Sequence, residues 1–196
     1  MRVVVVGATG LLGRAVVEAL EPRHEIVRVG HRQGPLTVEL DDPDSILRLF
    51  RSVGRMEALV SAAGRTKLGP WRSLSDDDLQ LGLTSKLMGQ VNLVRHGLDF
   101  MADGGSFTLT SGALGRRPVP GSAALSLVNA GLEGFVRAAA LDAPRGIRVN
   151  VVSPGWVTET LVALGMDPAP GTPARGVARA YLRSLEGSET GVVIEP

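Results

Sequence analysis

The sequence has no cysteine, which excludes disulfides, thiol nucleophiles and thiolate metal sites. It has one tyrosine, Tyr181, so chemistry that needs a phenol has a single candidate. A dominant charge is missing as well. The formal net charge is +1, with both signs dispersed, so no field draws in nucleic acid or an acidic surface. The densest run, Asp76-Asp77-Asp78, reads as the acidic first turn of a helix rather than a metal site. No apolar run reaches bilayer length, and the chain enters a strand by Val3 with no room for a signal peptide. A soluble cytoplasmic protein with no nucleic-acid, membrane or metal partner is expected. Without a linker, repeat or low-complexity tract, residues 1–196 read as one domain.

What is present begins with Val3-Val4-Val5-Val6-Gly7-Ala8-Thr9-Gly10-Leu11-Leu12-Gly13. Four valines are too few for a membrane span and too stiff at χ1 to favour helix; they suit a strand buried on both faces of a parallel sheet. The glycines fall as G-x-x-G-x-x-G. Gly7 permits the tight turn, Gly10 removes a Cβ where a pyrophosphate would approach, and Gly13 lets the next helix press on the strand. That helix, Leu11 to Leu20, aims its free N–H groups and positive dipole end at Thr9, Gly10, Leu11 and Leu12, an anion site. A glycine-rich turn without a ligand is the plain alternative; the strand before and helix after favour nucleotide binding.

The rest of the chain alternates strand and helix. Strands are expected at 24–29, 36–40, 57–61, 106–110, 146–152 and 190–194. Helices are expected at 45–53, 76–101, 122–141 and 173–185. This implies an α/β fold with a single Rossmann-type doubly wound parallel sheet of about seven strands and helices on both faces. In such a fold the residues after strand two face the adenosine ribose. His31 and Arg32 suit a 2′-phosphate where an acidic residue would bind a 2′-hydroxyl; an exposed basic turn is the alternative. Ala62, Ala63 and Gly64, leaving strand four, would let the backbone lie against a cofactor. Strand five delivers Ser111-Gly112 to the carboxyl edge, where open α/β sheets bind ligands.

By these marks the chain resembles the short-chain dehydrogenase/reductase family over nearly its whole length. Ser61-Ala62-Ala63-Gly64 stands for the family's Asn-Asn-Ala-Gly. The most specific match is Pro144-Arg145-Gly146-Ile147-Arg148-Val149-Asn150-Val151-Val152-Ser153-Pro154-Gly155-Trp156-Val157. The resemblance implies a nicotinamide cofactor, NADP(H) by the basic turn with NAD(H) as the alternative. It implies Pro154 and Gly155 beside the nicotinamide, a Thr near its carboxamide (Thr158 or Thr160, which flank Glu159 at the usual position), and a homodimer or tetramer built on the two long helices. The small residues Ala123, Ala124, Ala130 and Gly131 could serve that contact or pack inside one subunit.

The departures are more informative. The family's Tyr-x-x-x-Lys pair aligns with Leu125 and Asn129, and its relay asparagine with Lys86. The lysine and asparagine therefore look exchanged. Lys86, Ser111 and Asn129 would form a rearranged polar site, in which an ammonium holds the ribose or stabilises an oxyanion. Otherwise Lys86 is a solvated helix residue, Asn129 a packing amide and Ser111 a strand-end turn. Tyr181 is out of register to replace the missing phenol. No motif sets a His–Asp pair against Ser111, so hydrolysis is not expected. Only about fifteen residues separate Trp156 from the last helix, a reduced lid that suits a small substrate. The expected activity is NADP(H)-dependent oxidoreduction of a small carbonyl or alcohol. The alternative is a non-catalytic NADP(H)-binding sensor.

Overall fold

Val3 and Val5 pack into one hydrophobic cluster and Val4 and Val6 into another, on opposite faces of the opening strand. All four are at most 1% exposed. This double burial is what a run of β-branched residues in a central parallel strand requires. The computed structural model describes residues 1–196. Seven strands form one sheet in the order β3-β2-β1-β4-β5-β6-β7, every neighbour parallel. They are β1 Arg2–Val6, β2 Glu25–Gly30, β3 Leu36–Thr37, β4 Met56–Ser61, β5 Met101–Thr110, β6 Arg148–Val152 and β7 Val193–Ile194. Helices α1 (Leu11–Leu20) and α7 (Ala174–Glu186) cover one face. The other face is covered by α2 (Pro43–Val53), α4 (Gly89–Gly97) and α5 (Ala123–Asp142). The chain leaves β1 toward β2 on one side and returns to β4 on the other, so a crevice opens at the carboxyl ends of β1 and β4.

The helix expected over 76–101 is interrupted. It begins as α3 (Asp76–Leu81), with Ser75 and Asp78 forming a reciprocal capping box. Residues Gly82–Met88 are wound as a π-helix, in which Gly89 N–H reaches Thr84 O, and α4 follows. Leu79, Leu83 and Leu87 keep helical spacing, so apolar periodicity gave no warning of the wider winding. β5 then begins at Met101, before the glycines expected to end the helix. Strands β3 and β7 are two residues each, shorter than the apolar alternation suggested, as edge strands tend to be. A short helix, α6 (Thr158–Ala163), lies in the segment expected to be loop. By length and composition alone α5 could cross a bilayer, contrary to the expectation that no run would. It lies on the sheet and buries Val128, Leu132 and Val136.

Candidate functional site

The β1–α1 turn is built almost entirely from backbone. Gly7 has φ +84°, and a Cβ there would sit 2.6 Å from Ala62 O. A Cβ on Gly13 would come within 2.0 Å of Gly7 O, so the helix touches the turn. Gly10 caps α1 with no side chain satisfying the first-turn N–H groups, which leaves them for an anion. Arg14 donates from Nε to Thr9 O at 2.9 Å, holding the loop with a residue whose role its sequence position did not signal.

Beside this turn is a small pocket of about 90 Å³, bordered by Gly7, Gly30, His31, Glu39, Leu40 and Arg65. His31 Nε2 lies 2.8 Å from Glu39 Oε2. Arg65 pairs with Asp41 at 3.0 Å, while Arg32 is exposed. Ala63 and Gly64 border both this pocket and a larger cavity of about 530 Å³. The two hollows thus follow one another along the carboxyl edge of the sheet.

The larger cavity gathers Lys86, Ser111, Asn129, Pro154 and Gly155, together with Leu12 and Ala62. Thr158 is not among its lining residues; its N–H donates to Thr172 O at 3.1 Å at the start of α6. Leu114, Val119, Leu125, Trp156 and Pro170 make the outer wall apolar, with Arg117 at its edge.

Lys86 enters from the π-helical turn. Its Nζ donates to Ser111 O at 3.3 Å, and no carboxylate pairs with it. Desolvation lowers its pKa from the ordinary lysine value to about 8, because burial penalises the ammonium. The lysine fits because residue 64 is glycine: with φ +127°, a Cβ there would lie 2.8 Å from Lys86 Cα. Gln90 fastens the same turn to β5. Its Nε2 donates to Lys86 O at 3.1 Å and Thr110 O at 2.9 Å, and its Oε1 accepts from Thr110 N at 2.8 Å. Sequence reading passed over Gln90. Its one signal is a polar residue directly after Gly89, on a helix that also carries Asn92, Arg95 and His96.

Asn129 is 1% exposed, and its Oδ1 has no partner. An unpaired buried acceptor costs about 1–3 kcal/mol, and Asn129 is also one of the residues lining the cavity. A Cβ at Gly112 would sit 2.9 Å from Asn129 Nδ2.

Ser111 lies on the cavity wall, but its hydroxyl donates to Glu133 Oε1 at 3.2 Å. Ser153 Oγ donates to the same oxygen at 3.0 Å, and Arg116 Nε lies 3.3 Å from Glu133 Oε2. Arg116 and Arg117 both also reach Glu195 at 2.8 Å. The Ser111 hydroxyl proton is therefore committed to Glu133. Glu133, buried on α5, was not singled out by sequence. Tyr181 is fully buried behind the sheet. Its hydroxyl donates to Thr110 Oγ1, which in turn donates to Ser61 O. Burial raises the phenol's pKa well above its usual value, so this tyrosine holds its proton.

The sequence profile described as enoyl-(acyl carrier protein) reductase matches residues 12–189. Oxidoreductase UcpA of Escherichia coli (strain K12) is 30% identical over 141 residues, covering 68% of this chain and 54% of that protein. The chain belongs to the short-chain dehydrogenase/reductase family. It spans about half the length of UcpA. Protein lin1944 from Listeria innocua superposes with a TM-score of 0.95 at 37% identity, over 100% of this chain and 98% of that one. A small-chain dehydrogenase crystallised in complex with NADPH superposes at TM-score 0.89 and 26% identity, over 100% and 96% of the two chains. As a short-chain dehydrogenase/reductase, the chain has a cleft whose chemistry suits a nicotinamide dinucleotide. Glycines stand where any Cβ would fill the cradle, helix N–H groups are uncapped, and Asn129 Oδ1 is an orphaned acceptor.

Proposed function

We propose that the chain is an NADP(H)-dependent oxidoreductase of a small carbonyl or alcohol, using Lys86, Ser111 and Asn129 in a rearranged site. Asn129, whose buried Oδ1 has no partner, lines the same cavity as Lys86, and this is the observation that carries the reading. The bound cofactor would supply hydride. Around it, the turn of Gly7, Thr9, Gly10, Leu11, Leu12 and Gly13 takes the diphosphate. His31 and Arg32 take the 2′-phosphate, and Ala62, Ala63 and Gly64 lie along the ribose. Pro154 and Gly155 border the nicotinamide, with Thr158 beyond them. Lys86 and Asn129 offer a donor and an acceptor to the adjacent ribose or substrate oxygen. The apolar wall of Leu114, Leu125 and Trp156 suits a small, mostly apolar substrate.

One observation favours the second reading, a non-catalytic NADP(H)-binding sensor: Leu125 on the cavity wall carries no proton, and Ser111 spends its own on Glu133. Titration with NADPH and NADH, followed by Trp156 fluorescence, tests binding. A panel of small aldehydes and ketones, followed by NADPH consumption, tests turnover. Binding with turnover supports the oxidoreductase, binding alone the sensor, and no binding of either coenzyme overturns both. We place the protein in the cytoplasm as a homo-oligomer. Ala123, Leu127, Ala130 and Gly134 form an exposed stripe on α5 at helical spacing, whereas Ala124 is buried and Gly131 packs on Leu87.

A further inference from the structure

We propose that Lys86 Nζ is the proton-carrying group of this site, giving its proton to the substrate oxygen in reduction and recovering it in oxidation. The proposal rests on the oxidoreductase reading above and names its acid–base residue. The chain has only two lysines, Lys67 and Lys86, against nineteen arginines. Arginine does not give up its proton in proteins, whereas a buried lysine readily does. Lys67 pairs with Asp78 at the surface. Lys86 instead lines the large cavity and spends one of its three donors on Ser111 O, leaving two free.

The surrounding elements hold their charges in other pairs. After β4, Arg65 is bound to Asp41. On α5, Glu133 is occupied by Ser111, Ser153 and Arg116. Arg117, at the cavity edge, is bound to Glu195. Behind β5, Tyr181 is bound to Thr110. Desolvation therefore acts on the ammonium without a counter-charge, and brings its midpoint to about 8, where both protonation states are populated near neutrality.

When a carbonyl carbon gains a hydride, supplied by a reduced nicotinamide, the π pair of the C=O bond moves to the oxygen. That oxygen takes H⁺ from Lys86: an N–H bond breaks, an O–H bond forms, and a neutral amine remains. The amine is reprotonated from solvent through the mouth of the cavity. Reduction requires the ammonium and falls as pH rises through about 8; oxidation requires the amine and rises there.

The first test reads the apo protein. With lysine labelled at ¹³Cε, NMR gives one side-chain signal for each of the two lysines. The signal lost in Lys86→Gln is expected to titrate near 8 and to shift on addition of NADPH. A midpoint at or above the ordinary 10.5 overturns the proposal. A signal that titrates near 8 but ignores NADPH counts instead against the cofactor placement. The second test uses NADPH with the carbonyl panel. Lys86→Arg is expected to bind NADPH within about threefold of wild type, while its reduction rate drops at least tenfold and loses the fall near pH 8. Lys86→Gln, smaller and with no titrating proton, should lose the same limb. Equal rates and an unchanged pH profile in both variants overturn the proposal while leaving the oxidoreductase reading intact. A wild type that binds NADPH but reduces nothing overturns both.

Discussion

The two ends of the cleft are built from different materials. At the β1–α1 end the contacts are glycines, peptide N–H groups and a helix terminus, all within a few residues of one another. At the β5–α5 end they are side chains from separate parts of the chain: Lys86 on the π-helical turn, Ser111 after β5, and Asn129 and Glu133 on α5. A backbone site tolerates little change because any Cβ fills it. A side-chain site can exchange residues between neighbouring elements.

Substitutions at each end sharpen this contrast. The largest effect is expected at the backbone end. Gly13→Val places carbon against Gly7 O, where even a single Cβ would come within 2.0 Å. It should lower stability by about 3 kcal/mol or more, read by urea unfolding, and abolish NADPH binding in whatever fraction folds.

At the side-chain end the sign reverses. Lys86 titrates near 8 when folded against 10.5 as the ordinary value. Between these values the unfolded chain binds more protons, so stability should climb as pH rises from 8 to 10.5. Lys86→Met should remove that climb and stabilise the protein at pH 7 by about 1–3 kcal/mol, measured by the same unfolding curves. A variant less stable than wild type at pH 7 would mean that the ammonium is held by more than Ser111 O.

Arg32→Asp should weaken NADPH by about tenfold and leave NADH unchanged or improved, since one charge-assisted contact is worth about 1.5 kcal/mol or more. Equal loss for both coenzymes would separate Arg32 from the 2′-phosphate. The smallest effect is expected outside the cleft: Leu127→Arg should alter unfolding by no more than about 0.5 kcal/mol while shifting the mass seen by light scattering from oligomer toward monomer.

The same contrast explains what could be read without coordinates. The turn from Val3 to Gly13 was legible because its parts are adjacent in sequence and each glycine answers a local steric demand. Lys86 and Asn129, which line one cavity, were linked in the sequence only through the family resemblance, since more than forty residues separate them. Gln90, Glu133 and Arg116 were not legible. A buried amide or carboxylate looks the same in sequence as an exposed one until its partners are placed around it. The π-helical turn was hidden for a related reason: its leucines keep ordinary helical spacing, while Gly64, Gln90 and Thr110 hold the backbone in the wider winding.

Sequence alone determined the alternation of strands and helices, the double burial of the opening strand and the glycine turn with its uncapped helix terminus. These depend on β-branched runs, glycine sterics and helix termini, all short-range effects. Tertiary structure decided that the Ser111 proton goes to Glu133, that Tyr181 is sealed behind the sheet, and that Lys86 lines a cavity, partly desolvated, without gaining a counter-charge. Those outcomes depend on burial and on which groups meet across the fold, and only the packed sheet and its helices bring such groups together.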